Sequence, residues 1–229
     1  MSTEVQRMFS AIAPRYDATN DALSFGVHRR WRQEAVRRSG ALSGARVLDC
    51  ATGTGDLAFA FKRAVGPSGR VVGTDFCAEM LERAPEKARR AGLEVEFRVA
   101  DAMALPFPDA SFDIASISFG IRNVDDPVRC LREMARVVRP GGRVVVLEFG
   151  QPRGPFGALF RFYSRHVMPR LGGLLTGNRE AYEYLPRTAA AFPSGPRFLE
   201  LMDATGAFRE RSATPLAFGT AYVYVGGVG

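Results

Sequence analysis

The run "VLDCATGTGDLA", Val47 to Ala58, places a carboxylate, a glycine-rich turn and a second carboxylate in immediate succession. Gly53-x-Gly55-x-x-Ala58 has the spacing by which a strand-to-helix turn brings bare backbone against a ligand, and Asp75 closes the next apolar run. In a dinucleotide site such a turn meets a pyrophosphate. Here Asp49 stands just before the turn and Asp56 just after Gly55, and both would repel a phosphate. A cationic ligand without phosphate suits the turn better. Asp49 can meet an ammonium directly or through water, Gly53 and Gly55 admit an aliphatic chain, and Asp75 can accept from a pair of ribose hydroxyls.

A third acid sharpens the reading. In "VADAMALPF", Asp101 offers an acceptor to an adenine amino group, and Ala102 offers a small face to the ring. Sulfonium, ammonium, ribose and adenine together make S-adenosylmethionine. Any one of these acids reads equally well as a cap or turn residue, but three at successive strand ends beside a glycine turn do not.

The acceptor side centres on "SISFGIRNV", Ser116 to Val124, where a buried-looking strand runs into Arg122 and Asn123. An unpaired guanidinium next to core residues would cost several kcal/mol or more, so it needs either a substrate or an ion-pair partner. Asp125 and Asp126 are the nearest acids in the chain. The Asn/Asp-Pro-Pro-Tyr signature of exocyclic-amine methylation does not stand here, and no Pro-Cys nucleophile occurs, which disfavours RNA or protein amine methylation.

These residues need a scaffold that lines up strand ends. "RVLDC", "RVVGTDF", "VEFRVA", "FDIASISF" and "RVVVLEF" read as strands, alternating with helical "DLAFAFKRAV", "AEMLERAPEKARRAG" and "DDPVRCLREMARVVRPGG". Asp125 or Asp126 with Pro127 opens the last helix, and Pro140 to Gly142 close it. The alternation predicts an α/β domain with a mostly parallel, Rossmann-like sheet covered on both faces. Residues 45–150 form the binding core. Residues 1–44 and the Pro-, Gly- and Arg-rich 151–193 read as cover and lid over the carboxyl edge of the sheet, and 194–229 as a closing helix and hairpin.

Composition bounds the partners. The 229 residues, 46% hydrophobic, suit one domain. No apolar run approaches the roughly 20 residues of a membrane span, and the charged start "MSTEVQRMFS" reads as cytoplasmic rather than as a signal peptide. Cys50, Cys77 and Cys130 lack metal-ligand spacing, so no metal is expected. A net charge of +7 invites a nucleic-acid reading, yet no basic run interleaved with aromatics supports one. Only Lys62 and Lys87 among the 31 basic residues are lysines, a bias that reads as codon usage.

"RYDATNDALSFGVHRRW", "GTGD", "ALPFPDASFD", "ISFGIRNV", "RVVRPGGRVVVLEF" and "YSRHVMPRLG", in that order, resemble the UbiE/MenG/COQ5 family of quinone-biosynthesis C-methyltransferases, and the core resembles class I S-adenosylmethionine-dependent methyltransferases. The resemblance implies cofactor contacts at Thr54, Asp75, Asp101, Ala102 and Ser118. It also implies a prenylated quinol as substrate, demethylmenaquinol ahead of the methoxy-benzoquinol of ubiquinone synthesis. Glycine is frequent in that family where this chain has Ala51 or Thr52. Arg122 and Asn123 are then expected to bind the quinol oxygens and steady the developing oxyanion. His28 or a water serves as base, with Tyr16 and Asn20 shaping the lid. A prenyl tail gives the Arg-studded insertion a channel or a lipid-facing role, with peripheral membrane contact, and leaves room for a homodimer.

Overall fold

The computed structural model describes residues 3–229, with side chains from Val5 onward. Three helices come first, α1 (Thr3–Ile12), α2 (Tyr16–Ser24) and α3 (Val27–Ser39). The alternating core follows: β1 (Arg46–Cys50), α4 (Asp56–Val65), β2 (Arg70–Asp75), α5 (Ala78–Leu81), α6 (Ala84–Arg90), β3 (Glu96–Val99), β4 (Phe112–Ser118), α7 (Pro127–Val137) and β5 (Val138–Phe149). The insertion is α8 (Gly154–Phe162), a π-helical turn (Tyr163–Val167), α9 (Met168–Thr176) and α10 (Arg179–Ala191). Then α11 (Pro196–Asp203), β6 (Phe208–Leu216) and β7 (Ala221–Val228) close the chain.

The seven strands lie in the order β3-β2-β1-β4-β5-β7-β6. All pairings are parallel except those of β7 with β5 and β6. The order reverses between β1 and β4, which opens a crevice at their carboxyl ends. Strands buried on both faces explain the near-continuous apolar runs. Leu48, Val72, Ile117 and Val146 pack on Leu131, Met134, Phe198 and Tyr224 on one face. Val47, Val71, Ile114 and Val145 pack on Ala35, Leu57 and Phe61 on the other.

Three expectations change. The helix over "AEMLERAPEKARRAG" is broken into α5 and α6, because Pro85 cannot donate to the preceding turn and starts a new helix. The α7 helix opens as expected, with Asp126 accepting from the Arg129 N–H and Pro127 in the first turn, but ends at Val137 rather than at Gly142. Val138 already pairs with Phe112, and the register then jumps to Ile114 opposite Arg143, so Arg139 to Gly142 form a bulge. Gly142 is required there, since a Cβ would lie 2.5 Å from the Asp113 carbonyl oxygen. Finally, α3 begins at the carboxyl edge, where the Trp31 ring lies 6.2 Å from that of Phe119, and then runs onto a face of the sheet. It forms part of a face layer, with Ala35 fully buried and Trp31 packed beside it as a core anchor.

Candidate functional site

The crevice is built from strand ends. Ala51 and Gly53 follow β1, Asp75, Phe76 and Cys77 follow β2, Ala100 to Ala102 follow β3, and Ser118 to Gly120 follow β4. Phe9, Tyr16, Met80, Asn123 and Val124 complete the wall. Of the expected residues, the structure therefore brings Gly53, Asp75, Asp101, Ala102, Ser118, Asn123 and Tyr16 into one cleft. The described lining holds two carboxylates and no Lys or Arg. Such a wall is hostile to a pyrophosphate and suited to a cation.

Local backbone geometry makes the approach close. Ala51 sits at φ 47° and Gly53 at φ 57°, the left-handed region that glycine adopts freely and alanine does not. Ala51 is tolerated in part because its neighbour is Gly120, where a Cβ would stand 2.5 Å from that of Ala51.

The acids divide by what they already hold. Asp75 accepts from the backbone N–H groups of Gly53 at 2.8 Å and Cys77 at 2.9 Å. Burial pushes its carboxyl above the ordinary range, against the pull of those donors. Asp101 Oδ1 accepts from the Met103 N–H at 2.9 Å. Asp49 corrects an expectation: it is 1% exposed and does not line the cleft, and its two oxygens accept from Thr52 Oγ1 at 2.6 Å and Ser116 Oγ at 2.8 Å. Burial raises it to about 6. It braces the turn from beneath rather than opening onto a ligand.

Arg122 is the larger correction. Its side chain is 2% exposed and its partner is neither Asp125 nor Asp126 but Glu148 on β5, itself 1% exposed, at 2.8 Å. The same Nη1 donates to the Phe119 carbonyl at 2.5 Å, and the guanidinium lies 5.2 Å from the centre of the Phe149 ring. Arg122 Nε and Glu148 Oε2 are both buried without a hydrogen-bond partner. Beside them, Asn123 Oδ1 accepts from the Tyr184 hydroxyl of α10 at 3.1 Å, which ties the insertion to the cleft.

The amino-terminal helices are latched to the glycine turn by charge. Thr54 Oγ1 donates to Asp17 on α2 at 2.6 Å and accepts from Lys87 at 3.0 Å. Lys87 also bridges Asp17 at 2.6 Å and Asp56 at 2.8 Å, while Arg32 meets Asp56 at 3.1 Å. Thr54 thus faces this network rather than the cleft, and Gly55 lies against the Phe59 ring, 2.7 Å from where its Cβ would stand. Asn20 bonds the Tyr16 side chain, whose hydroxyl is raised above its ordinary value by burial. His28 lies outside the cleft, its Nδ1 paired with Ser24 Oγ and its Nε2 3.3 Å from Asp21. Burial and then Arg32 lower it to about 4, too weak a base for a phenolic proton.

A second cavity of about 470 Å³ lies under the insertion. Phe149, Gly150 and Pro152 form its floor, Phe160, Ser164 and Met168 one wall, and Leu185, Pro186 and Ala189 the other. Arg161, Arg165, Arg187 and Glu183 are its charged residues. Its floor residue Phe149 stacks on Phe119 of the cleft at 4.5 Å, so Arg122 and Glu148 sit in the wall between the two spaces.

Sequence reasoning missed Glu148, Tyr184 and the Asp17–Lys87 latch. A signal existed for the first, since a glutamate in the apolar run "RVVVLEF" needs a buried cation, and Arg122 was a cation in search of an acid. Tyr184 and Lys87 carry no local signal. Among the described residues, no three His, Cys, Asp or Glu cluster as a metal site, and no helix is long and apolar enough to cross a membrane.

Known proteins resemble this chain in sequence and in fold. A Bdellovibrio bacteriovorus protein named ubiquinone/menaquinone biosynthesis C-methyltransferase UbiE is 55% identical over 98% of this chain and 95% of its own length. A Deinococcus radiodurans demethylmenaquinone methyltransferase is 50% identical over 97% and 91%. Among solved structures, a Thermotoga maritima SAM-dependent methyltransferase described as a possible histamine N-methyltransferase superposes with a TM-score of 0.67 at 20% identity, covering 96% of this chain and 98% of that one. A SAM-dependent methyltransferase from Aquifex aeolicus gives 0.64 at 19% identity over 86% and 89%. These structural likenesses establish the α/β methyltransferase fold. With its family model matching residues 1–227, the chain belongs to the ubiE/COQ5 methyltransferase family.

Proposed function

We propose that the chain transfers a methyl group from S-adenosylmethionine to a ring carbon of a polyprenylated quinol, converting demethylmenaquinol to menaquinol. The observation that carries this reading is the cleft itself, with two carboxylates and no basic side chain at the carboxyl ends of a methyltransferase sheet. The residues fit the cofactor. Gly53 offers backbone without a side chain, Asp75 would accept from the ribose hydroxyls, and Asp101 with Ala102 would hold the adenine, with Phe9, Met80 and Val124 available as apolar wall. When bound, the cofactor supplies an electrophilic methyl carbon.

The protein's own part concerns the acceptor. A quinol carbon becomes nucleophilic once a neighbouring hydroxyl, with a pKa near 10 by analogy with tyrosine, gives up its proton. Asn123, with its oxygen fixed by Tyr184, presents its amide NH₂ at the cleft. Arg122, held by Glu148, supplies positive charge in the wall behind it. Water at the cleft takes the hydroxyl proton, since His28 is turned away and weakly basic; once the methyl has bonded to the ring carbon, that carbon's own hydrogen leaves as a proton and the ring returns to the hydroquinol. The second cavity receives the prenyl tail, and its largely apolar wall shields the tail from water. We read the place of work as the cytoplasm, with substrate drawn from the inner face of the membrane.

The Bdellovibrio relative's name covers ubiquinone as well as menaquinone biosynthesis, which supports a second reading with 2-methoxy-6-polyprenyl-1,4-benzoquinol as the substrate. Competition between the two quinols for labelled cofactor ranks them by kcat/KM, and label transfer to neither would overturn the proposal. Calorimetry tests the cleft separately. S-adenosylmethionine should bind and NAD should not, and Asp75→Ala should weaken the cofactor by roughly 1.5–3 kcal/mol.

A further inference from the structure

The helix that walls the second cavity turns its opposite face to solvent. Along α8, Phe156, Leu159 and Phe162 are 40%, 65% and 60% exposed, at the spacing that puts them on one side. Two phenylalanines from distant loops extend this strip. Phe218, in the turn between β6 and β7, stands 5.1 Å from Phe156 ring to ring, and Phe25, between α2 and α3, stands 6.5 Å from Tyr163. Both are 83% exposed, and both occupy the left-handed backbone region, at φ 58° and φ 50°. A bulky residue in that conformation is strained. Here the strain is met by no compensating burial within the protein.

The rim of the strip is basic. From Gln151 to Asn178 there is no Asp or Glu; Arg153 and Arg170 are exposed, and so are Arg161 and Arg165, which also reach the cavity. Two copies of the chain meeting through this face would oppose like charges, which disfavours self-association. An apolar ridge with an arginine border instead matches the boundary between acyl chains and anionic headgroups.

We infer that this strip docks on an anionic lipid bilayer, with Phe25 and Phe218 as anchors at its two ends. The inference deepens the proposed function, on which it rests for the membrane-borne substrate. One helix then serves two ends: its outer face lies on the leaflet, while Phe160, Arg161 and Ser164 at its inner side line the cavity for the tail. A prenyl chain reaches the cavity from the bilayer without crossing water.

Vesicle sedimentation of the full chain tests this. Phosphatidylcholine vesicles containing phosphatidylglycerol should bind far more protein than phosphatidylcholine alone, and added salt should release it. Asparagine tolerates the left-handed backbone, so the double variant Phe25→Asn, Phe218→Asn should fold and turn over a short-chain, water-soluble quinol at the wild-type rate. Its partition onto anionic vesicles should fall at least about tenfold. Equal binding by variant and wild type, or equal binding to neutral and anionic vesicles, overturns the inference. So does a wild-type dimer, seen by light scattering, that the double variant abolishes. If vesicle binding behaves as stated but no quinol accepts a methyl group, the functional reading fails while the docking face stands.

Discussion

The cleft and the cavity beside it are opposite in character although they share a wall. The cleft is made by the ends of parallel strands and carries Asp75 and Asp101 without a cation. The cavity is made by inserted helices and carries Arg161, Arg165 and Arg187 with Glu183 as its acid. Strand ends fix a few acceptors rigidly in place, which suits a small, charged and invariant ligand. Inserted helices supply apolar area and adjustable volume, which suits a long chain. Arg122 and Glu148 form the partition between them.

Breaking the partition should give the largest effect. Arg122→Ala leaves Glu148 buried and unpaired, and urea denaturation should show a loss of about 3–5 kcal/mol. Replacing both residues, Arg122→Met with Glu148→Leu, should recover most of that stability while turnover stays at least about a hundredfold down. Recovery of turnover along with stability would make the pair a purely structural one.

That pair also shows where sequence reasoning stops. The strands, the glycine turn and the acids of the cleft were legible because each lies within a few residues of the turn or strand end that positions it. Arg122 was recognisable as a buried charge, but its partner was sought among the adjacent Asp125 and Asp126. Glu148 is distant in the chain and near only because β5 lies beside β4. The same holds for the latch, which gathers Asp17, Thr54 and Lys87 from three separate segments. The insertion gave an amphipathic pattern without its helix boundaries: Pro186, which reads as a helix breaker, lies inside α10, and α8 joins α9 through a π-helical turn that carries no local signal.

The carboxylate beneath the glycine turn has a pH signature. Asp49 holds its proton more tightly in the folded chain, at about 6 against an ordinary 3.8, so its contribution to stability is full below about 4 and lost as pH rises through 6. At pH 7 that loss is about 3 kcal/mol. Asp49→Asn should remove the slope, so that variant and wild type diverge between about pH 4 and 6 in favour of the variant and run parallel above it. Parallel urea midpoints across that range would contradict the assignment.

Filling the cavity should do least and discriminate best. Ala189→Phe narrows the space for a tail and leaves the cleft alone. KM for a long-chain quinol should rise about tenfold, near 1.4 kcal/mol, while cofactor affinity and the kcat for a short-chain quinol hold. An equal rise for both quinols would mean that the cavity does not take the tail.

The account stands on a quinol ring carbon, activated beside Asn123 and Arg122, receiving the methyl group. Single turnover with methyl-labelled S-adenosylmethionine and demethylmenaquinol, offered reduced or oxidised and analysed by NMR of the product, tests this most directly. Label should appear on a ring carbon, and only with the reduced substrate. Equal transfer to the oxidised quinone, or label on oxygen, would contradict it.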